Sequence, residues 1–176
     1  MVNRAWSLVF ASFVLGLPAN AQQQPDPRLE TVEVREGLYM LKGMGGNVGL
    51  LVGGGDALLI DSQYATMYEQ LRAAVAKVGN AKVGVLVNTH WHFDHVGANE
   101  RFARAGAVIV AHENVLARTS VDQVLQPMGR LVQALPEIAR PTLTFAEEHQ
   151  LHLAGQDVRL FHVPHAHTDG DVIVHF

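Results

Sequence analysis

The chain has 176 residues, a formal charge of −4, 48% hydrophobic and 17% charged side chains, the make-up of a folded domain with a core and not of a disordered segment. It contains no cysteine, so neither a disulfide framework nor a thiolate metal site is available to it. No run of lysine and arginine occurs, which excludes a nucleic-acid surface of the usual basic kind, whereas ten histidines is a high number.

The first 21 residues carry the pattern of a secretory signal peptide. Arg4 supplies the positive end, residues 5–17 an apolar stretch too short to span a bilayer comfortably, and Ala19-Asn20-Ala21 a small-residue cleavage site. An uncleaved membrane anchor is the alternative. Cleavage implies a periplasmic or secreted protein with no stable membrane insertion. Residues 22–28 read as a linker, and the domain runs over 29–176.

From Leu29 the pattern predicts short strands over 31–34 and 38–41 around a Glu36-Gly37 turn. A glycine loop follows at Gly43, Gly45 and Gly46, then strands over 47–52 and 57–60, the latter ending at Asp61. These glycines match neither a dinucleotide fingerprint nor a phosphate loop. Met67, Leu71, Val75 and Val78 recur at helical spacing, predicting a helix over 66–78 that Gly79-Asn80 ends. The continuous apolar run 83–87 predicts a strand buried on both faces. A helix over 98–105 and a strand over 107–110 follow. Residues 112–140 read as mostly helical, interrupted at Pro127 and Pro136. Strands are predicted over 143–145, 150–153, 158–163 and from Val172 onward. The alternation argues an α/β fold with helices on an outer face of the sheet.

His90, His92, Asp94 and His95 fall within six residues, immediately after a buried strand. Strand ends are where α/β folds present functional groups. In an extended segment His90 and His92 project to one side, and a turn after His92 aims Asp94 and His95 at a neighbouring position. Imidazole and carboxylate together suit zinc, and also iron or manganese. A local cluster seldom closes a metal site, so a further ligand is expected from the Pro164-His165-Ala166-His167-Thr168-Asp169-Gly170-Asp171 turn. Spacing alone does not separate His165 from His167. The other histidines have plainer roles: His112 as a cap or surface residue, His149 and His152 facing solvent, His162 and His175 satisfied within strands. Trp91 and Phe93 are expected to pack beneath the motif and stiffen it.

These residues resemble the metallo-β-lactamase superfamily. The H-x-H-x-D-H motif stands as His90-x-His92-x-Asp94-His95, flanked by Asn88-Thr89 and Val96-Gly97-Ala98-Asn99. His167-Thr168-Asp169-Gly170 resembles the second histidine motif and selects His167 over His165. Leu58-Leu59-Ile60-Asp61 resembles the family's strand ending in aspartate.

The resemblance implies a first metal held by His90, His92 and His167, and a second held by Asp94 and His95. Asp94 also orients the nucleophile. Asp61 either orients a ligand or caps a turn, and Asp171 either supports the site or simply sits in its turn. The family's bridging carboxylate and last histidine come after the strand that begins at Val172. The chain is therefore expected to be the N-terminal part of an exported enzyme, holding the first half of the αββα sandwich and the start of the second.

The implied activity is hydrolysis of a small-molecule ester, thioester, lactone or β-lactam by a metal-activated water, with two Zn2+ in the complete protein and Fe or Mn as substitutes. The alternatives are a mononuclear iron oxygenase acting on a sulfur substrate, and a non-catalytic metal-binding remnant. The glycine loop at 43–46 resembles the flexible hairpin beside the family's site, against the plainer reading of an ordinary turn.

Overall fold

The computed structural model describes residues 29–176 except Asn80, Pro127 and Ala154. The signal peptide and linker readings, the helix end at Asn80 and the break at Pro127 fall outside the described residues.

Four antiparallel strands begin the fold: β1 (Glu30–Arg35), β2 (Leu38–Lys42), β3 (Asn47–Gly53) and β4 (Asp56–Ile60). A 3-10 turn at Ala65–Met67 leads into α1 (Tyr68–Gly79). Then β5 (Lys82–Val87) joins β4 in parallel, β6 (Val108–His112) joins β5, and β9 (Leu143–Phe145) joins β6. The result is a seven-stranded sheet in the order β1-β2-β3-β4-β5-β6-β9. Two helices lie between β5 and β6, the short α2 (Phe93–Val96) and α3 (Asn99–Arg104). A second, antiparallel sheet is built from β10 (Glu148–Leu153), β11 (Gln156–Val163) and β12 (Asp171–His175).

The large sheet is apolar on both faces because both are covered. Leu50, Leu59, Leu86 and Ile109 point into one core, with Leu71 and Val75 of α1 and Phe102 of α3. Their neighbours Leu51, Leu58, Val87 and Val110 point into the other core, against Val158, Leu160 and Val172 of the small sheet. Successive side chains of a strand alternate faces, so these doubly buried strands read as unbroken apolar runs in the sequence. In contrast, β10 alternates exposed and half-buried positions, as a strand with one outward face should. Helices, large sheet and small sheet stack in that order, the first three layers of the expected sandwich.

Residues 112–140 depart from the helical expectation. Among the described residues of this stretch, only α4 (Glu113–Thr119) is α-helical. Thr119 and Ser120 turn their hydroxyls back onto the carbonyls of Val115 and Leu116, a bonding pattern that competes with continuation of the helix. A hairpin of β7 (Gln123–Leu125) and β8 (Arg130–Val132) follows, with Gly129 in the left-handed region at φ 60°. Leu135 N–H then returns to the Thr119 carbonyl at 2.8 Å, and a 3-10 turn spans Glu137–Ala139. Valines 121, 124 and 132 suit this extended arrangement. His112 caps α4, its Nδ1 accepting from Asn114 N–H at 3.1 Å. Among the described residues, no helix is long and apolar enough to cross a membrane.

Candidate metal centre

The site forms where β4 and β5 end side by side. After Ile60 the chain turns sharply, with Asp61 at φ 67° and Gln63 at φ 55°. Asp61 N–H donates to the Val87 carbonyl at 2.8 Å and Ser62 N–H to the His95 carbonyl at 2.7 Å. Beneath the histidine segment lies a closed polar knot of Ser62, Asn88 and Asn99, each fully buried. Asn99 Nδ2 donates to Asn88 Oδ1 at 2.8 Å and Ser62 Oγ to Asn99 Oδ1, also at 2.8 Å. Every member has partners, so the knot holds the loop without leaving buried polar groups unmet.

Upon this base, His90, His92 and His167 converge. Their ligand nitrogens all lie within 4.8 Å of one another, and His167 Nε2 is 3.0 Å from His92 Nδ1. Thr89 settles the tautomer of His90. Its single hydroxyl proton goes to Asp61 Oδ2 at 2.7 Å, so toward His90 Nδ1 at 3.0 Å the oxygen acts as acceptor and Nδ1 carries the hydrogen. His90 Nε2 is then a bare lone pair, buried and without a hydrogen-bond partner. Burial, reinforced by the neighbouring histidines, pushes the His90 pKa down to about 3. Burial and His167 lower that of His92 as well. Neutral imidazoles with converging lone pairs are what a cation requires, and the orphaned His90 nitrogen has no other use in the fold. The donor set fits a metal ion.

Asp94 and His95 lie on α2 beside this triad, with the His90 and His95 rings 3.9 Å apart. His95 Nδ1 bonds Asp61 Oδ2 at 2.8 Å, and its Nε2 stands 3.5 Å from Asp94 Oδ2. Burial disfavours the His95 cation, yet the Asp61 bond and the nearby carboxylates outweigh it and raise its pKa. Asp61, 3% exposed, also accepts from Thr89 N–H at 2.8 Å. One carboxylate thus orients His95 directly and His90 through Thr89, and it caps no helix. Among the described residues, the triad alone groups three donors closely enough for one ion; Asp94 and His95 form a pair.

His167 arrives from the far end of the chain on the turn before β12. The Asp171 carboxylate accepts from His167 N–H at 2.7 Å and from Thr168 N–H at 3.0 Å, so Asp171 shapes this turn. Asp169 fastens it to α4: Arg118 Nη2 meets its carboxylate at 2.7 Å and Asn114 Nδ2 its carbonyl, also at 2.7 Å. Arg118 holds the Asp169 carboxyl below the usual range. His165 is exposed, at φ 57°, and belongs to no such group. A cleft of about 450 Å³ opens beside His92 and His167, lined by these two and Trp91 together with Arg118, Gln123 and Val124. Trp91 borders the cleft and also packs on the motif, its ring 4.6 Å from that of His92. Phe93 packs too, its ring 5.8 Å from that of Tyr64 and 4.0 Å below the Arg130 guanidinium.

The family model of the metallo-beta-lactamase superfamily matches residues 41–176. The chain belongs to that superfamily. Among curated proteins, this metallo-β-lactamase-fold chain is 30% identical over 139 residues to the atrochrysone carboxyl ACP thioesterase of Aspergillus fumigatus, covering 68% of the chain and 43% of that protein. Among solved structures it is similar to a metallo-beta-lactamase of Cronobacter sakazakii, with a TM-score of 0.71 and 18% identity over 83% of this chain and 57% of that one. It also resembles the metallo-beta-lactamase GOB-18 of Elizabethkingia meningoseptica, with a TM-score of 0.70 and 21% identity over 92% of this chain and 61% of that one. These likenesses establish the fold. The chain spans about half the length of the relatives it matches.

Three contributors escape the sequence pattern. Gln63 follows the strand-end aspartate with nothing local to mark it, and Arg118 meets Asp169 across 51 positions. Asn99 sits among the motif's flanking residues, but its burial with Asn88 and Ser62 emerges only in three dimensions.

Proposed function

We propose that this chain carries the metal-binding, water-activating part of a zinc hydrolase that cleaves a small-molecule acyl ester or thioester. The carrying observation is the buried, unpartnered Nε2 of His90 facing the nitrogens of His92 and His167. The three histidines would hold the ion, and Asp94 and His95 a second one. Zinc bound there supplies Lewis acidity and lowers the pKa of water to about 7.

The rest of the chemistry belongs to the chain. Asp61 fixes His95 and, through Thr89, His90, so the donors need no rearrangement. Asp94, half-buried beside His95, orients the attacking water and takes a proton from it on the carboxylate oxygen that it would not offer to an ion. Water adds to the acyl carbonyl carbon, the C–O or C–S bond breaks, and the proton returns to the departing oxygen or sulfur. The cleft beside Trp91 and Arg118 receives the substrate. The thioesterase relative supports the thioester form of this reading, and the leader-like residues 1–21 support an exported location.

The test is zinc content by plasma mass spectrometry together with hydrolysis of an S-acetyl thioester, in the full chain and in His92→Ala. The parent is expected to retain zinc and turn over. His92→Ala is expected to lose both, by about 100-fold or more in turnover. Unchanged zinc retention in the variant would overturn the assignment, and iron recovered after anaerobic purification would favour the sulfur-oxygenase alternative.

A further inference from the structure

The loop between β2 and β3 contains three glycines in four residues, yet one buried side chain ties it down. Gln63 is 1% exposed, at a left-handed φ of 55° that glutamine seldom adopts. Both ends of its carboxamide serve the loop. Oε1 accepts from Gly45 N–H at 3.1 Å, and Nε2 donates to the Gly46 carbonyl.

Space explains the glycines. A β-carbon at Gly43 would lie 2.5 Å from Gln63 Nε2, and one at Gly46 would lie 3.0 Å from His95 Cε1. At Gly45 it would lie 3.2 Å from the Asp94 β-carbon. The loop backbone is therefore pressed between the Gln63 carboxamide and the Asp94–His95 pair. The Gln63 backbone is itself confined, since a β-carbon at Gly97 would meet the Gln63 carbonyl oxygen at 2.6 Å. A strained φ persists where the surroundings over-determine it, and here the motif helix on one side and the loop on the other do so.

We infer that Gln63 is a positioning residue that latches the 43–46 loop as a fixed wall over Asp94 and His95. Because Gly45 packs on Asp94, an acyl group attacked by the water at Asp94 meets that rigid backbone edge and is sorted by size against it, and not by a flap that closes on it. The sorting rests on the acyl-hydrolase reading above; the latch does not. With the carboxamide gone, three glycines have wide backbone freedom, and Met44, 62% exposed within the loop, swings with them.

Hydrogen exchange of the Gly45 amide in the full chain decides the matter, compared between the parent and Gln63→Gly. The substitution relieves the left-handed backbone while removing the carboxamide, and unchanged protection in β5 and β6 is the check that the fold survives it. The expected result is Gly45 exchange accelerated about tenfold, with protection in β5 and β6 unchanged. In parallel, the kcat/KM ratio for p-nitrophenyl octanoate over p-nitrophenyl acetate should rise about fivefold, through KM.

Equal Gly45 exchange in the two proteins overturns the latch. Faster exchange with an unaltered ester ratio overturns the sorting. Faster exchange in a protein whose parent hydrolyses neither ester supports the latch and counts against the acyl-hydrolase reading instead.

Discussion

Single side chains in this protein are committed by their hydrogen-bond arithmetic. His90 has one nitrogen satisfied by Thr89 and one left bare, whereas His112 has both engaged, Nδ1 by Asn114 N–H and Nε2 by the Ala146 carbonyl at 2.8 Å. His112 is 3% exposed and stacked on His162 with ring centroids 3.6 Å apart. Burial lowers its pKa, only partly opposed by the Ala146 bond. Its folded pKa therefore lies below its unfolded one. As pH falls through the ordinary histidine value, the unfolded chain takes up a proton that the native chain refuses, and stability declines until the folded pKa is reached. His112→Asn keeps an acceptor for the cap and cannot titrate. Urea unfolding between about pH 7 and pH 5 should show a steeper loss of stability in the parent than in the variant. Equal slopes would mean that His112 is not a source of acid sensitivity.

At the scale of elements, the His167 turn and α4 act together. Arg118 and Asn114 hold Asp169, and Gly170 is pressed so close to α4 that a β-carbon would lie 3.1 Å from the Val115 side chain. The Arg118–Asp169 pair is nearly half-exposed on both sides, so its worth to global stability is small, roughly 0–1 kcal/mol. For the proposed metal site it should count for more, because it fastens the turn that carries His167 to α4. Arg118→Ala should lower zinc affinity about tenfold, a typical outcome for outer-shell partners, with little change in the urea midpoint. A chelator competition titration checks this, and an affinity equal to the parent's would show that Asp171 alone fixes the turn.

The same region marks the limit of sequence reading. The H-x-H-x-D-H segment was legible because its chemistry is local. The buried strands were legible because both faces are covered. The β7–β8 hairpin was not, since its short strands carry no period that distinguishes them from a helix, and the side-chain bonds that stop α4 depend on which way Thr119 and Ser120 turn. Gln63 and Arg118 were hidden for a different reason: each acts on a partner distant in the chain, and neither belongs to a spaced motif.

The whole molecule is organised by one sheet with two cores. Leu58 and Leu59 are adjacent in sequence and fully buried in opposite ones, so neither core can be loosened without disturbing the strands that carry Asp61 and Asn88. Leu58→Ala should cost about 2–5 kcal/mol in urea unfolding, the range for a truncated buried leucine. Because Leu58 packs toward the small sheet that ends in the His167 turn, zinc affinity should fall with stability. A loss of stability alone would show that the two sheets are mechanically independent at the site.

The histidines that face one another come from positions 75 residues apart, in a chain with no cysteine. An ion gripped by His90, His92 and His167 is therefore a cross-link, closing a long loop of the kind in which tethering restricts the unfolded ensemble most. In disulfide-bonded proteins that tether is governed by redox potential. Here it would answer to free metal concentration, so that metal starvation, and not reduction, would remove the tether between the His90–His92 segment and the His167 turn, leaving the shared core to hold the two sheets together.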